Sequence, residues 1–310
     1  MKIFHSSKAA RGKFKKLVLA LGNFDGIHLA HRKMFEWTAL LANELKAKAG
    51  VYTFDPHPVK VLSPASTPPL IGTPEQKIKW IKKNKIKVLI LEPFDKHFAA
   101  LGPEDFFNKI LIETLGVKGL VVGYDFTFGK SRSGNLELLE KLCKASGIKL
   151  KVLPAFYHKN TLVSSTQIRH FILNGKILEA NLLLGRPFTI QATVVRGKQI
   201  GRTLNFPTAN LMVANELLPL SGVYATLTKI GLRKHHSVTN IGWRPTFYGN
   251  RLTIETHLLK LTKNLYGKKL QLSFIDRIRE ERKFENPEAL VAQIHKDIEC
   301  SKKIFKRFHL

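Results

Sequence analysis

The sequence predicts a two-part chain: a doubly wound parallel α/β sheet first, then an all-β antiparallel barrel or sandwich that closes with one helix. Three observations predict it. From about residue 17 to 153, strand-like runs alternate with helix-like runs, the pattern of a parallel sheet with helical crossovers. From 188 to 278 the segments are β-like and punctuated by turns, with no long helix between them. After these, Asn286-Pro287-Glu288 is a helix-start signal. A length of 310 residues suits two domains, each long enough to bury its own core. The style changes at Gly185-Arg186-Pro187, which divides the chain into domains 1–186 and 187–310.

The elements follow in order. Residues 17–22 (LVLALG) are a buried strand and His31 to Ala49 a helix. Val51 to Phe54 is a second strand, closed by the Pro-rich stretch 55–69. A short basic helix over 74–84 leads to a third strand at 87–91. Residues 103–115 have helical apolar spacing, with Pro103 placed to start the helix. A fourth strand (118–123), a helix (135–146) and a fifth strand (148–153) complete the alternation. In the second half the strands are 188–196, 222–230, 235–241, 252–261 and 268–278. The closing helix runs to about Phe308, with Leu290, Ile294, Ile298 and Phe305 near one face.

Composition narrows the class. The apolar share, 44%, and the charged share, 24%, are those of a globular chain, which argues against a disordered or fibrous one. No apolar run approaches the ~18–20 residues a membrane span needs, so no membrane insertion is expected. The basic start, MKIFHSSKAARGKFKK, is followed by too short an apolar stretch for a signal peptide. Two cysteines, Cys143 and Cys300, make neither a disulfide framework nor a four-ligand zinc site, and a reducing cytoplasm is the default. Lys and Arg number 51 and Asp and Glu 23, a net +28 that attracts polyanions. The lysines are scattered (Lys77, Lys79, Lys82, Lys83, Lys85, Lys87) and form no tail. A nucleic-acid module would need stacking aromatics interleaved with cations on one strand face. The aromatics here sit mainly in apolar or motif contexts, so no specific nucleic-acid partner is expected.

The first candidate site lies where the first strand hands over to the first helix, the edge at which open α/β sheets bind ligands. Residues 20–31 read ALGNFDGIHLAH. Gly22 and Gly26 let backbone approach a ligand closely. His28 and His31 are three apart and share one face of the first helical turn, beside free N–H groups and the positive end of the helix. Two imidazoles and oriented amides suit a triphosphate.

The second candidate site is residues 193–211, TVVRGKQIGRTLNFPTANL. Gly197, Lys198, Gly201 and Arg202 make a glycine-rich cationic loop suited to phosphate. Pro207 stiffens the next turn, and Thr208 and Asn210 offer neutral oxygens at i and i+2, on one side if extended. Those oxygens suit Mg²⁺, and equally a turn that binds its own backbone.

Gly22-Asn23-Phe24-Asp25-Gly26-x-His28-x-x-His31 resembles the motif of the bacterial bifunctional riboflavin kinase/FAD synthetase family. Thr53-Phe54-Asp55-Pro56-His57-Pro58, Val122-Gly123-Tyr124-Asp125-Phe126-Thr127-Phe128-Gly129-Lys130, Ser164-Ser165-Thr166-Gln167-Ile168-Arg169 and Leu184-Gly185-Arg186-Pro187 follow in the family's order. So do Phe206-Pro207-Thr208-Ala209-Asn210, Asn240-Ile241-Gly242, Glu255-Thr256-His257-Leu258 and Ile278-Arg279-x-Glu281. The similarity runs from about Leu17 to Asp297.

The resemblance implies a nucleotidylyltransferase domain that adenylylates FMN to FAD and an antiparallel-barrel flavokinase domain that phosphorylates riboflavin. ATP, riboflavin, FMN and FAD are the implied small-molecule partners and Mg²⁺ the implied cofactor. It assigns His28 and His31, with Gly22, Asn23, Asp25, Gly26, Ser164, Ser165 and Arg169, to the first nucleotide. Gly197, Lys198, Gly201, Arg202, Thr208 and Asn210 go to the second, with Thr208 and Asn210 also the metal ligands. Glu255, a strand carboxylate at the barrel mouth, is the implied general base. Asp125, Phe126, Phe128, Asn240 and Arg279 are implied flavin contacts. Two positions depart from the pattern. Ala30 stands where the superfamily's His-x-Gly-His has glycine, which admits an alternative reading: a riboflavin kinase with weakened or lost adenylylation. Asn205 stands at a usual glycine, and asparagine tolerates the left-handed backbone that glycine provides.

Overall fold

A computed structural model describes residues 1–197, 206–246, 249–261 and 263–310. The chain divides into two compact units, one of Met1–Pro69 with Pro74–Ser164, the other of Leu70–Thr73 with Ser165–Leu310.

The first unit is built on six strands: β1 (Lys2–Phe4), β2 (Leu17–Leu21), β3 (Lys48–Phe54), β4 (Val88–Glu92), β5 (Val117–Gly123) and β6 (Lys149–Leu153). Their order is β1-β4-β3-β2-β5-β6, and every pairing is parallel. Every residue of β2 and β4 is buried, as expected of strands covered on both faces. From β2 the chain goes one way to β3 and β4 and the other way to β5 and β6. The carboxyl ends of β2 and β5 therefore flank the point where the order reverses.

Helices cover the sheet: α1 (Ser7–Ala10), α2 (Leu29–Glu44), α3 (Pro58–Leu62), α4 (Pro74–Lys82), α5 (Lys96–Ala99), α6 (Pro103–Asp105) and α7 (Leu136–Ala145). The edge strand β1 and helix α1 are additions to the expected elements. Strand β1 is held by its pairing with β4, and α1 by the buried carboxylate of Glu92, which accepts from Ser7 N (2.7 Å) and the Tyr52 hydroxyl (3.0 Å). Helix α2 stops five residues short of the expected Ala49. Its end is a reversed turn in which Ala47 N donates to Ala42 O (2.8 Å) and Lys46 N to Asn43 O (3.2 Å). Lys46 takes the left-handed conformation (φ +50°) where glycine is the usual occupant, so the residue type does not announce the stop. Beyond α6 the chain runs on as a π-helix over Phe106–Thr114, where an ordinary helix is expected, and it turns Phe106, Phe107 and Leu111 into the core.

The second unit opens with α8 (Ser165–Leu173) and α9 (Ile177–Leu184). The Asn181 side chain ties α9 to the barrel, accepting from Phe188 N (2.6 Å) and donating to Phe274 O (2.9 Å). The barrel is closed and antiparallel, in the order β10-β13-β12-β11-β14-β9. Its strands are β9 (Phe188–Val195), β10 (Ala209–Val213), β11 (Gly222–Ile230), β12 (Arg233–Thr246), β13 (Gly249–Leu258) and β14 (Lys269–Arg279). Strand β10 is absent from the expected strand set, yet it closes the barrel by pairing with both β9 and β13. Without it the choice between barrel and sandwich stays open in the sequence.

The barrel lumen is filled by hydroxyls and rings. Thr226, Thr228, Ser237, Thr239 and Thr256 are fully buried. They bond to one another over 2.7–2.9 Å. Tyr224 packs on Phe274 at 5.4 Å beside them. The closing helix α10 (Pro287–Arg307) is capped by Asn286, whose side chain accepts from Ala289 N (2.8 Å). It lies on the outer face, where Phe305 meets Ala225, Leu227 and Ile275. Its most buried positions are Asp297, Ser301 and Phe305. The expected apolar face of Leu290, Ile294 and Ile298 is only half-buried, because the deepest stripe is one ion pair and one hydroxyl ahead of the ring.

Candidate functional site

The loop from β2 into α2 is the first candidate site. Phe24 (φ +49°), Gly26 (φ +79°) and Ile27 (φ +43°) all take left-handed backbone within four residues. Two of the three are not glycine, so the loop is strained, and strain of this kind gathers at functional turns. It is held down by burial: Phe24 and Ile27 are each 1% exposed. Phe24 packs against His31 (5.1 Å) and Phe35 (5.0 Å). Gly22 has no room to spare, since a β-carbon there would stand 3.1 Å from the Phe24 ring. His28 is the N-cap of α2, and its Nδ1 accepts from His31 N at 3.4 Å. The two imidazoles stack with centroids 3.5 Å apart. Asp25 and His28 are buried and Asn23 is exposed.

A cation omitted from the expected site stands beside this loop. Lys77, on α4, donates to Thr53 Oγ1 (3.0 Å) and Phe54 O (3.4 Å), and Thr53 Oγ1 donates to Asn23 O (3.1 Å). Burial pushes the Lys77 ammonium down to about 8, against the opposing pull of the Asp25 and Asp55 carboxylates.

The other expected residues of this half are placed as follows. Asp125 is exposed just past β5, and Gly123 stands close to its carboxylate. Phe126 and Phe128 stack at 5.7 Å, but Phe128 is a core residue and Phe126 packs against the same cluster. Ser164 ends the first unit, while Ser165 is the first residue of α8 and Arg169 lies one turn on, both in the second.

The second candidate site is a row across the barrel. Asn210 on β10 pairs with Glu255 on β13, Glu255 with Asn240 on β12, Asn240 with Val223 on β11, and Val223 with Arg279 on β14. Residues paired across antiparallel strands share a face. This row alternates with the lumen residues Thr239 and Thr256, so Glu255 faces outward, on the side where α10 lies. The row lies toward one end of the barrel, at the second residues of β10 and β11 and the last of β14, and it faces outward because the alternate positions fill the lumen. Gly197 serves Asn210 directly: a β-carbon at 197 would overlap its side-chain amide. Two residues before Asn210, Thr208 is half-buried. His257 Nδ1 meets Pro207 O at 2.9 Å, and Phe206 packs edge-on against His257 (5.7 Å) and His295 (5.0 Å).

Arg279 is engaged by the C-terminal helix. Its guanidinium donates to both oxygens of buried Asp297 (2.8–3.1 Å), which also accepts from Gln293 (2.7 Å). Glu281, just beyond, accepts from Trp243 N (3.2 Å), and its carboxylate occupies the space that Gly242 leaves open. Lys198, Gly201 and Arg202, with Asn205, lie outside the described residues.

Two family models match the chain. A FAD synthetase family model matches residues 11–167 and a riboflavin kinase family model residues 184–305. The bifunctional riboflavin kinase/FMN adenylyltransferase of Bacillus subtilis (strain 168) is 36% identical over 301 residues, covering 95% of this chain and 94% of that one. The protein of the same name from Escherichia coli (strain K12) is 33% identical over 289 residues, covering 93% and 92%. The chain belongs to the bifunctional riboflavin kinase/FMN adenylyltransferase family. Among solved structures, a Streptococcus pneumoniae chain described as a macrolide-efflux protein superposes with a TM-score of 0.87 at 29% identity, covering 97% of this chain and 98% of that one. No described helix of this chain is long and apolar enough to cross a membrane.

Three residues beside the candidate sites that sequence reasoning does not single out are Lys77, Thr53 and Glu281. Lys77 was hidden among scattered surface lysines; only its tertiary contacts set it apart. Thr53 and Glu281 stood inside quoted motifs, where nothing distinguished a contact residue from its neighbours.

Proposed function

We propose that this chain makes both flavin cofactors from vitamin and ATP, at two sites that work separately. It phosphorylates riboflavin to FMN and adenylylates FMN to FAD with release of pyrophosphate. The observation that carries this reading is that each family model falls on a region with its own site: the strained β2–α2 loop in one, the Asn210–Glu255–Asn240 row in the other. The kinase-only alternative raised by Ala30 is not favoured, because the FAD synthetase match spans that loop. We place the functional boundary near residue 186 and the protein in the cytoplasm, where its two free cysteines, Cys143 and Cys300, need no partner.

For phosphorylation, Glu255 takes the proton of the ribityl 5′-hydroxyl while that oxygen attacks the γ-phosphorus and ADP leaves. Base catalysis of this kind is worth roughly 10²–10⁴-fold. Asn240 and Arg279 serve the flavin, and Gly197, Lys198, Gly201 and Arg202 serve the phosphates. Thr208 and Asn210 fit Mg²⁺: they bring hard neutral oxygens, and Gly197 keeps the space the Asn210 amide needs. Among the described residues no group of three or more His, Cys, Asp or Glu could hold a metal. A cation here would thus complete its shell with phosphate oxygens and water, as Mg²⁺ does. Once bound, Mg²⁺ supplies charge neutralisation at the transferred phosphoryl group.

For adenylylation, the FMN phosphate is already an anion, so no strong base is needed. Orientation and charge stabilisation carry the step. His28 and His31, with Gly22, Asn23, Asp25 and Gly26, orient the triphosphate as an FMN oxygen attacks the α-phosphorus and pyrophosphate departs. Asp125 and Phe126 serve the flavin, with Phe128 behind them. Ser164, Ser165 and Arg169 supply hydroxyls and a guanidinium to phosphate. The test is direct: riboflavin, ATP and Mg²⁺ are mixed with the protein and followed by chromatography. FMN should rise first and FAD after it. Folded protein that made neither product would end the proposal.

A further inference from the structure

We propose that Lys77 and Thr53 form a positioning relay for the adenylyl-transfer loop, a role that rests on the adenylyltransferase reading above. The relay has a defined direction. The Lys77 ammonium donates to Thr53 Oγ1 (3.0 Å), which leaves the hydroxyl proton free to donate to Asn23 O (3.1 Å). Asn23 precedes the run Phe24–Ile27, where three of four residues are left-handed. An anchor on its carbonyl therefore sets the entry angle of the whole turn. The second donation, to Phe54 O (3.4 Å), fixes the ammonium against the end of β3, next to β2 in the sheet. Helix α4 thus reaches over β3 to hold the β2–α2 turn, adding to the bond from Gly22 N to Tyr52 O (3.3 Å) at its start.

The ionisable groups acting on Lys77 are Asp25, in the loop itself, and Asp55, beyond β3. Both favour the ammonium, but burial is the larger influence and brings its titration to about 8. Loss of the proton leaves an amine, which still has hydrogens to donate but no charge. The relay weakens, and the loop loses a cation next to the expected position of a polyanion. The sign follows: adenylylation declines as pH rises through about 8, and riboflavin phosphorylation does not follow it.

The experiment compares FAD formation from supplied FMN with FMN formation from riboflavin, over pH 6.5–10, in the full chain. Lys77→Arg keeps a charge at every pH used. It should move the alkaline limb of adenylylation upward by at least one pH unit. Lys77→Met should remove the limb and lower kcat/KM for ATP by roughly 10- to 100-fold, the size expected of a misplaced turn. Thr53→Val should lower kcat with the limb retained, and Thr53→Ser should restore it. In each variant riboflavin phosphorylation reports on the second unit, and wild-type circular dichroism with a cooperative unfolding transition reports that the first unit, which holds Lys77 and Thr53, is folded. An alkaline limb near 8 that stays in place in Lys77→Arg, or wild-type FAD formation by Lys77→Met, overturns the relay. Wild-type protein that makes FMN but no FAD overturns the adenylyltransferase reading itself, and the relay with it.

Discussion

The two candidate sites are built from different materials. The β2–α2 loop is a backbone device: left-handed residues, a helix start and stacked imidazoles create the site, and the side chains mostly hold the turn in place. The Asn210–Glu255–Asn240 row is a side-chain device: straight antiparallel strands in register carry polar groups onto one outer face. The contrast teaches where each site is vulnerable. A backbone device fails when the turn relaxes. A register device fails when one side chain is removed, and leaves the ladder standing.

The strongest way to break the comparison is Glu255→Gln. Riboflavin phosphorylation should fall by roughly 10²–10⁴-fold, while FAD formation from supplied FMN is unchanged. Loss of both in a folded protein would show that the sites are not separate. The mirror experiment removes His28 and His31 together. FAD formation should drop by about 10²–10³-fold, the scale of lost oriented donors, with FMN formation intact. Asp297→Ala sharpens the side-chain half of the argument. It removes the carboxylate that pairs with the Arg279 guanidinium, which is 20% exposed against 4% for Asp297, and leaves it Glu280 O (2.8 Å) and the Phe284 ring. The second unit should lose about 3 kcal/mol in denaturant unfolding. A smaller loss than that of an ordinary surface pair would mean that Glu280 O, the Phe284 ring and solvent suffice for the guanidinium. The smallest effect is expected from Gly26→Ala. At φ +79° a β-carbon costs about 1–2 kcal/mol, and adenylylation alone should weaken. If Gly26→Ala is neutral in both stability and activity, the turn is not the strained device described above.

Much of the fold was legible because burial writes itself into residue order. The apolar runs of β2 (LVLAL), of β4 up to Glu92 and of β5 after Lys118 are direct prints of two-sided cover, and the alternation in the second half of β9 of one-sided cover. Elements defined by one bond or one dihedral were not. Lys46 ends α2 without a glycine, β10 hides behind Pro207, and α1 depends on the distant carboxylate of Glu92. The motifs located Asn210, Glu255 and Asn240 but not their shared outward row, since register is a relation between strands.

By itself, then, the sequence determined the class of each half, the order of its parts and the residue types available for phosphate and proton chemistry. These follow from local spacing and hydrophobic period. Tertiary structure alone decided that Glu255 points away from the lumen, that Arg279 is held by Asp297, and that Lys77 lies against the β2–α2 turn. Those outcomes depend on which groups compete for the same buried space and how much solvation each loses, quantities that exist only once distant segments have met.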